Sequence, residues 1–462
     1  MEKTPAASRR GFLSALGVAV GGAGLAGAGL VGGARIVRAA PEPAKGKIPD
    51  TPFKVGHMTF LTSAAAVLGE PSLKGHTLAA EEINAQGGFL GKRKIEIITA
   101  DEAAGVDAAV KEVRRMKLEG KIDLFTGIIS SGTSPAVGPV VEELGLLSIF
   151  TDGCTDFLFD KAVPNPKYCF RITNIQSADG ITAAIGAAQA WPHVRKIAHI
   201  HPDYSYGRNA AEHFTLAIER LIAGTEVVSE SWPKLGTTDF TAHITKIISS
   251  QPDLLVVSVW GGDYVAFYKQ ALRNGLFDKM KVASTLAFGV APHALGKDHP
   301  EGILAGVHSN YHFTYPGGDR WPQNKSFVER YFKRWKEYPN FQSEGAYSAL
   351  YLLKSAIERA NKLAGGWPED EAIIGQLEGL GMDTPSGYLY MRPDHQAYKD
   401  AVTGFSKNMA EYEFPVWDPD RIITIPIRNI TAPMGWPKPG TSHNESTAAA
   451  NWIKTTWPKA SA

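Results

Sequence analysis

The chain has 462 residues, of which 44% are hydrophobic and 21% are charged, and its formal net charge at pH 7 is +1. Such a composition is typical of a globular protein with room for two lobes of roughly 150–200 residues each. The balanced charge argues against nucleic acid or an anionic membrane surface as a partner. Cys154 and Cys169 leave their pairing undecided, and no Cys/His spacing typical of a metal site occurs. We therefore expect neither a metal nor another cofactor.

The sequence of residues 1–40 predicts that the protein is exported from the cytoplasm. The segment Ser8–Leu13 contains paired arginines followed by Phe-Leu, and a Gly- and Ala-rich apolar stretch leads from it to Ala39-Ala40. This pattern resembles a twin-arginine export signal. We expect cleavage near Ala39 or Ala40, the twin-arginine export machinery as a partner, and a periplasmic location. A membrane anchor is the alternative, but the stretch is rich in glycine and its far end carries Arg35 and Arg38.

Strand-like and helix-like segments alternate in the first half of the mature chain. We expect strands at Phe53–Phe60, Lys94–Ala100, Ile122–Ile129 and Leu146–Thr151, and helices at Ser72–Gln86, Val106–Leu118 and Pro135–Leu144. The repeating β-α-β order predicts an α/β fold with a parallel sheet and helices on both faces. Ligands bind such sheets beyond the carboxyl ends of the strands, so residues 61–69, 130–134 and 152–155 are the candidate turns.

A second series of similar size follows. We expect helices at Ala178–Trp191, Tyr206–Ile222, Phe240–Ser249 and Tyr264–Asn274, with strands at Lys196–His201, Glu226–Ser231, Asp253–Trp260 and Lys281–Thr285. Further on, the pattern predicts strands at Gly306–Phe313, Gly387–Met391 and Arg421–Pro426, and helices at Lys325–Lys336 and Glu344–Asn361. Residues 432–462 show no periodicity and are expected to form an extended or loose C-terminal extension.

The turn Ser130–Ser134 is rich in hydroxyl groups and lies between a buried strand and a helix start. Backbone N–H groups, hydroxyl donors and the positive end of a helix dipole make such a turn suitable for an anion or a carboxylate. The alternative is that these hydroxyl groups only cap the helix.

Several short motifs occur in order along the chain. They are Glu82–Gly88 with Gly91 and Asp101, Ser130-Ser131, Gly153-Cys154-Thr155, Phe170-Arg171, Asp203–Gly207, Pro252-Asp253 and Gly387–Gln396. Together they resemble the leucine/isoleucine/valine-binding protein family, which are type I periplasmic substrate-binding proteins of ABC importers. The resemblance runs from Phe53 to Ile427.

The resemblance implies two Rossmann-like doubly wound lobes joined by a three-stranded hinge, the type I periplasmic binding protein fold. Lobe one would contain residues 53–171 and 305–379, and lobe two residues 172–304 and 380–431. The lobes would close on a small-molecule ligand, and the closed form would dock on an ABC permease in the inner membrane.

The resemblance also implies a binding site. In relatives the ligand's carboxylate is held by a hydroxyl after the third strand and by a backbone N–H and a threonine hydroxyl after the fourth. These roles fall on Ser131, Gly153 and Thr155, with Ser130 and Cys154 in the same turns. Leu68 lies in the loop where relatives contact the ligand's side chain.

The residue types in the turns of the second lobe indicate the expected class of ligand. After Lys281–Thr285 the chain has no acid where amino-acid binders place Glu, although Asp152, Asp179 or Asp263 could substitute. The turns of the second lobe carry rings instead, and these could equally be core residues: Tyr204, Tyr206, Trp260, Tyr264 and Phe288. We therefore expect a small carboxylate or amide with an apolar or aromatic body. A leucine-like aliphatic amino acid is the alternative.

An enzyme is not expected. No Gly-x-Ser-x-Gly motif occurs between a strand and a helix, and the turn chemistry around His201 and Asp203 is complete without catalysis. Arg392, Asp394 and His395 are expected to tie a late strand to the hinge. A cytoplasmic amide-sensing regulator would conflict with the export signal.

Overall fold

The computed structural model describes residues 44–286, 288–308, 311–314, 321–436 and 447–458. The expected export signal and its cleavage site lie outside this range. Among the helices described, none combines the length and the apolar character needed to cross a bilayer.

The first sheet has five parallel strands in the order β2-β1-β3-β4-β5. The strands are β1 Phe53–Thr59, β2 Ile95–Asp101, β3 Leu124–Gly127, β4 Ser148–Phe150 and β5 Cys169–Arg171. The helices of this series are α1 Ala66–Ala85, α2 Val106–Leu118 and α3 Ser134–Glu143. Helix α1 begins six residues before the predicted Ser72, because Pro71 is accommodated inside the helix rather than marking its start. Apart from that start, the β-α-β order follows the prediction.

The second sheet has seven strands in the order β15-β14-β10-β9-β8-β6-β7. The parallel strands are β6 Lys196–Ile200, β7 Glu226–Ser231, β8 Leu254–Val257, β9 Lys281–Ser284 and β10 Leu304–Gly306. The helices are α4 Gln176–Ala190, α5 Ser205–Leu221, α6 Thr241–Ser249, α7 Gly261–Arg273 and α8 Ala291–Leu295. The expectation of two doubly wound α/β lobes is confirmed.

A third, three-stranded sheet is antiparallel and consists of β11 Gly381–Thr384, β12 Gly387–Met391 and β13 Ala397–Tyr398. It follows the helices α9 Pro322–Trp335, α10 Phe341–Ala364 and α11 Asp370–Leu377. Helix α10 packs against α1 of the first lobe. The antiparallel strands β14 Ala401–Lys407 and β15 Val416–Ile425 then complete the edge of the second sheet. The three-stranded sheet therefore lies between the expected change of lobe at 379–380 and the return of the chain to the second sheet at β14.

The strand predicted over Gly306–Phe313 is wrong in extent. Strand β10 ends at Gly306, and its last two residues pair within the second sheet although residues from 305 onward were expected in lobe one. The chain then leaves the sheet. His308 therefore belongs to a buried polar cluster rather than to a β-strand. Residues 309 and 310 lie outside the described range.

The expectation of a loose C-terminal extension is wrong for residues 447–458. They contain helix α12, Ala448–Thr455, which packs on α5 and buries Trp452 and Ile453. Thr447 caps this helix by accepting the Ala450 N–H at 3.0 Å, and its hydroxyl lies 2.7 Å from His213 Nε2. The helix is only eight residues long, which is too short for a clear helical periodicity in the sequence.

Buried polar contacts tie the hinge together. Arg171 is fully buried at the end of β5 and donates to the carbonyls of Gly153 and Thr155 at 2.9 and 2.7 Å. Its Nε donates to the Gln396 side chain at 2.8 Å, and His395 stacks on Phe170 with ring centroids 3.7 Å apart. These contacts confirm that the segment before β13 is tied to the hinge.

A buried ion pair lies beside the last crossing. The Lys399 ammonium is 3.1 Å from the Glu344 carboxylate at the start of α10, and both side chains are 0% exposed. Lys399 also donates to the Ser386 hydroxyl at 3.0 Å, and the Ser348 hydroxyl donates to Glu344 at 2.6 Å. Removing one partner would leave the other charge buried without compensation.

We predict that Lys399→Met lowers the free energy of unfolding by about 3–5 kcal/mol. The double variant Lys399→Met/Glu344→Leu should recover most of this loss, because no unpaired charge remains buried. Denaturant unfolding followed by circular dichroism measures both. A single variant within about 1 kcal/mol of the parent, or strictly additive losses, would contradict the coupling.

Candidate ligand-binding site

A cavity lies where the carboxyl ends of the two sheets face each other. The lobe-one side and the hinge contribute Leu68, Ile129, Ser131, Asp152, Cys154, His308 and Phe341, and the second lobe contributes Tyr204, Tyr206, Trp260 and Leu286.

The structure places part of the expected site on this cavity. Of the residues expected to bind ligand, those that line it are Leu68, Ser131, Cys154, Tyr204, Tyr206 and Trp260. Those that do not are Ser130, Gly153, Thr155 and Phe288. For the six residues that line the cavity, ligand binding stays a prediction.

The polar groups of Gly153 and Thr155 have partners inside the protein. The Gly153 N–H donates to the Ile129 carbonyl at 3.2 Å, and the Thr155 hydroxyl accepts the Phe157 N–H at 3.3 Å. Gly153 has φ +64°, and a Cβ there would lie 2.5 Å from the Ser134 Cβ, so glycine is required by its surroundings. The Gly153 N–H is thus already used within the protein, whereas the Thr155 hydroxyl still has its own hydrogen to donate. The carboxylate-holding roles that the resemblance assigns to these two residues stay predictions.

Phe288 is a core residue. It is fully buried, its ring lies 5.3 Å from that of His312 and 6.1 Å from that of Trp417, and it packs with Val307. Phe288 therefore packs in a neighbouring aromatic cluster and does not line the cavity, and its contact with a ligand stays a prediction.

The anion at the turn after β3 is a side chain of the protein itself. The Glu102 carboxylate accepts the N–H groups of Ile129 and Ser130, each at 2.8 Å. Ser130 in turn accepts the Gly132 N–H on its hydroxyl at 3.1 Å, so it caps the turn. The Ser131 hydroxyl lies on the cavity, 3.7 Å from the Cys154 sulfur. Only this hydroxyl of the turn therefore keeps the geometry expected for ligand binding.

Glu102 carries a proton at neutral pH more readily than an ordinary glutamate. Burial raises the pKa of its carboxyl to about 7, although the two backbone N–H donors act in the opposite direction. The unfolded chain releases this proton near pH 4.5, whereas the folded chain holds it up to about pH 7. Its contribution to stability is therefore fully present below about pH 4.5 and is lost as the pH rises through about 7.

We predict that the parent loses about 3 kcal/mol of unfolding free energy relative to Glu102→Gln between pH 4.5 and pH 8. Glutamine keeps the shape of the side chain but has no proton to release. Denaturant unfolding of both proteins across this range measures the difference. Parallel pH profiles would contradict the assignment.

A carboxylate–imidazole–carboxylate cluster lies at the polar end of the cavity. His308 Nε2 is 3.0 Å from Asp152 Oδ1, and His308 Nδ1 is 2.5 Å from Asp179 Oδ2. The Thr173 hydroxyl also lies 3.0 Å from Nε2, and Gln342 donates to the second oxygen of Asp152. Burial opposes the charged imidazole, but Asp179 and the neighbouring acidic groups raise the pKa of His308 well above its ordinary value. The cluster therefore presents an imidazolium to the cavity.

Sequence reasoning missed His308, Ile129, Leu286 and Phe341 as lining residues. Asp152 and Asp179 were noted as possible acids, and both reach this cluster, whereas Asp263 accepts the Gly236 N–H at 2.9 Å elsewhere. The feature that could have identified His308 as a site residue is its position two residues beyond the end of strand β10.

Aromatic side chains form the opposite wall. Tyr204 and Trp260 occupy the residues immediately before α5 and α7, so their rings project beyond the ends of β6 and β8. Trp260 Nε1 donates to the Tyr204 hydroxyl at 3.2 Å, and the Tyr206 hydroxyl lies 3.5 Å from that of Thr285. The polar tips of these rings therefore have partners, while their faces remain for apolar contact.

The two lobes touch beside the cavity. The Gly262 N–H at the start of α7 donates to the Ala64 carbonyl at 3.2 Å, and the rings of Phe60 and Trp260 are 6.3 Å apart. A Cβ on Gly262 would lie 2.5 Å from the Ala64 Cβ. The contact between the lobes therefore leaves no room for a side chain on Gly262.

The side chains considered for acid–base chemistry do not face one another. His201 lies 2.8 Å from His199 and 2.5 Å from Ser258, whereas Asp203 pairs with Arg208 at 2.5 Å. Arg392 pairs with Asp394. Each therefore has a structural partner of its own.

Comparison with known proteins identifies the family. Residues 52–404 match the family model described as periplasmic binding protein. Leu/Ile/Val-binding protein homolog 7 of Brucella melitensis is 27% identical over 323 residues, which cover 68% of this chain and 78% of that protein.

Two solved structures show the same fold. A solute-binding protein of an ABC transporter from Rhodopseudomonas palustris, in complex with 3,4-dihydroxybenzoic acid, has a TM-score of 0.71 at 21% identity and covers 82% of this chain and 98% of its own. A leucine-binding protein from Thermotoga maritima has a TM-score of 0.67 at 20% identity, with coverage of 81% and 99%. The chain therefore belongs to the periplasmic binding protein family, among the type I substrate-binding proteins that include the leucine/isoleucine/valine-binding proteins.

Proposed function

We propose that the mature chain is the extracytoplasmic solute-binding component of an ABC importer of the branched-chain amino acid type. Its ligand is a small carboxylate with an aromatic body, and it carries out no chemical reaction on that ligand. The observation that carries this proposal is the lining of the cavity, which is walled by the rings of Tyr204, Tyr206, Trp260 and Phe341.

The walls favour a flat apolar body. Leu68, Ile129 and Leu286 fill the spaces between the rings, so most of the surface that a ligand meets is apolar. Aromatic rings pair edge-on or offset with other rings, and such pairs add about 0.5–1.5 kcal/mol beyond the burial of apolar area. The cavity is also small, which favours a single ring over a larger body.

The polar end favours a carboxylate with a hydroxyl or other donor nearby. The Ser131 hydroxyl can donate to an anion, and Asp152 can accept from a neighbouring hydroxyl, whereas both ring nitrogens of His308 are already paired with Asp152 and Asp179. The structural relative from Rhodopseudomonas palustris binds a ligand of this kind, 3,4-dihydroxybenzoic acid.

A leucine-like aliphatic amino acid is the second candidate. The Asp152 carboxylate on the cavity wall could pair with an ammonium group, which the turn after β9 cannot do. However, both oxygens of Asp152 already have hydrogen-bond partners in His308 and Gln342, which compete with an ammonium group for the carboxylate. The aromatic carboxylate is therefore preferred.

Export and docking complete the proposal. The twin-arginine signal would deliver the folded chain to the periplasm, where the closed form would dock on an inner-membrane permease. Closure stabilised by contacts that exist only when the lobes meet would couple ligand binding to docking.

We predict that 4-hydroxybenzoate or 3,4-dihydroxybenzoate binds the full mature chain with a micromolar or lower dissociation constant in titration calorimetry, and that leucine binds far more weakly. Ser131→Ala should weaken the aromatic acid by about tenfold or more, since a hydrogen bond to a charged group contributes about 1.5–3 kcal/mol. Ser130→Ala is the matched control, because that hydroxyl does not line the cavity. Tight leucine binding without benzoate-type binding would overturn the ligand assignment.

We predict that Gly262→Ala weakens ligand binding by about tenfold or more without touching the ligand, because the new methyl group obstructs closure against Ala64. The double variant Gly262→Ala/Ala64→Gly removes the obstructing Cβ and should restore affinity. Gly375→Ala is the control, since a Cβ at that helical position meets nothing within 4 Å. Unchanged calorimetric affinity in Gly262→Ala would show that this lobe contact is not part of the bound form.

A further inference from the structure

Three side chains with metal-binding atoms converge on the cavity. A carboxylate oxygen of Asp152, the Cys154 sulfur and an imidazole nitrogen of His308 all lie within 4.8 Å of one another, and all three residues are buried. Two of them follow β4, and the third follows β10, so the fold brings them together from distant parts of the chain. All three also line the ligand cavity.

The donor set suits a borderline-soft divalent cation. Thiolate, imidazole and carboxylate are the ligands that zinc uses, and zinc sites that bind a further ligand have three protein donors and one open position. Zinc bonds of about 2.0–2.3 Å place tetrahedral donor atoms roughly 3.3–3.8 Å apart. His308 Nε2 and Asp152 Oδ1 are already 3.0 Å apart, so shifts of about 1 Å would complete the arrangement.

The position of Asp179 independently supports a metal-binding role for His308. Its carboxylate lies 2.5 Å from His308 Nδ1, which fixes the ring so that Nε2 faces Asp152. A carboxylate behind the distal nitrogen of a histidine is the usual support of a metal-binding imidazole, because it sets the tautomer and the ring orientation. Asp179 thus orients the proposed ligand His308 without itself reaching the cavity wall.

A nucleophilic cysteine is the competing interpretation, since a thiol beside an imidazole backed by a carboxylate can also form a covalent intermediate. Two features weigh against it. Burial raises the pKa of the Cys154 thiol, and the carboxylate of Asp152 occupies the same imidazole nitrogen that a catalytic thiol would need. A dication, by contrast, would displace the protons of the Cys154 thiol and of His308 Nε2, and it would compensate the charge of the resulting thiolate and of the carboxylates of Asp152 and Asp179.

We propose that Asp152, Cys154 and His308 form a binding site for zinc or a similar divalent cation, positioned by Asp179, with its fourth coordination position open to the ligand cavity. The site joins the turn after β4 of the first sheet to the segment after β10 of the second sheet. A cation there would meet the polar end of whatever ligand enters.

The test uses the full mature chain after removal of bound metal with a chelator. Zinc titrated by calorimetry should bind with one-to-one stoichiometry, and cobalt should give a thiolate-to-metal charge-transfer band. Cys154→Ser should remove this band and weaken zinc by about 100-fold or more, and Asp179→Asn should weaken zinc by about 10- to 100-fold. Cys169→Ser is the matched control, because this second buried cysteine lies outside the cluster and should leave both signals unchanged.

Circular dichroism and unfolding midpoints establish that each variant is folded, and His308→Gln replaces Cys154→Ser if the latter is not. Absence of zinc binding by the parent, or a cobalt complex without the thiolate band, would overturn the proposal. Equal zinc affinity in the parent and the folded ligand variant would do the same. The titration contains no organic ligand, so its outcome is separate from that of the carboxylate screen.

Discussion

The pairing of His308 with two carboxylates connects the parts of the molecule that form the site. Asp152 belongs to the turn after β4 in the first sheet, Asp179 lies in the first turn of α4, and His308 follows β10 of the second sheet. One buried imidazole therefore fixes the polar end of the cavity relative to both lobes. The rings of Tyr204 and Trp260 form the opposite wall at helix starts, so the distance between the two walls follows from the fold. Binding by enclosure, rather than by a single strong contact, is what this arrangement supports.

Much of the fold could be predicted because its signals are local. The alternation of short apolar strands and amphipathic helices is visible in the sequence, and strand ends such as Gly127 are marked by small residues. The rings at Tyr204 and Trp260 could be placed near the site because they directly follow strands whose carboxyl ends face the gap. The sequence does not predict helix α12, because the helix is only eight residues long and gives too short a periodic pattern.

The polar end of the site could not be predicted in the same way. His308 and Asp179 are 129 residues apart along the chain, and nothing local marks their contact. Glu102 fills the anion position at the turn after β3, so the donors that the turn pattern offers are used within the protein. The Gly153 N–H, to which the resemblance assigns a similar role, is likewise bonded to the Ile129 carbonyl.

The central claim is that the cavity, with aromatic side chains on one wall and polar side chains on the opposite wall, encloses a small aromatic carboxylate. Identification of the small molecule that copurifies with the mature chain from its native periplasm tests this most directly. Native mass spectrometry would give the mass of the bound species, and denaturation would release it for identification. The account predicts a single-ring aromatic acid. Release of an aliphatic amino acid would contradict it.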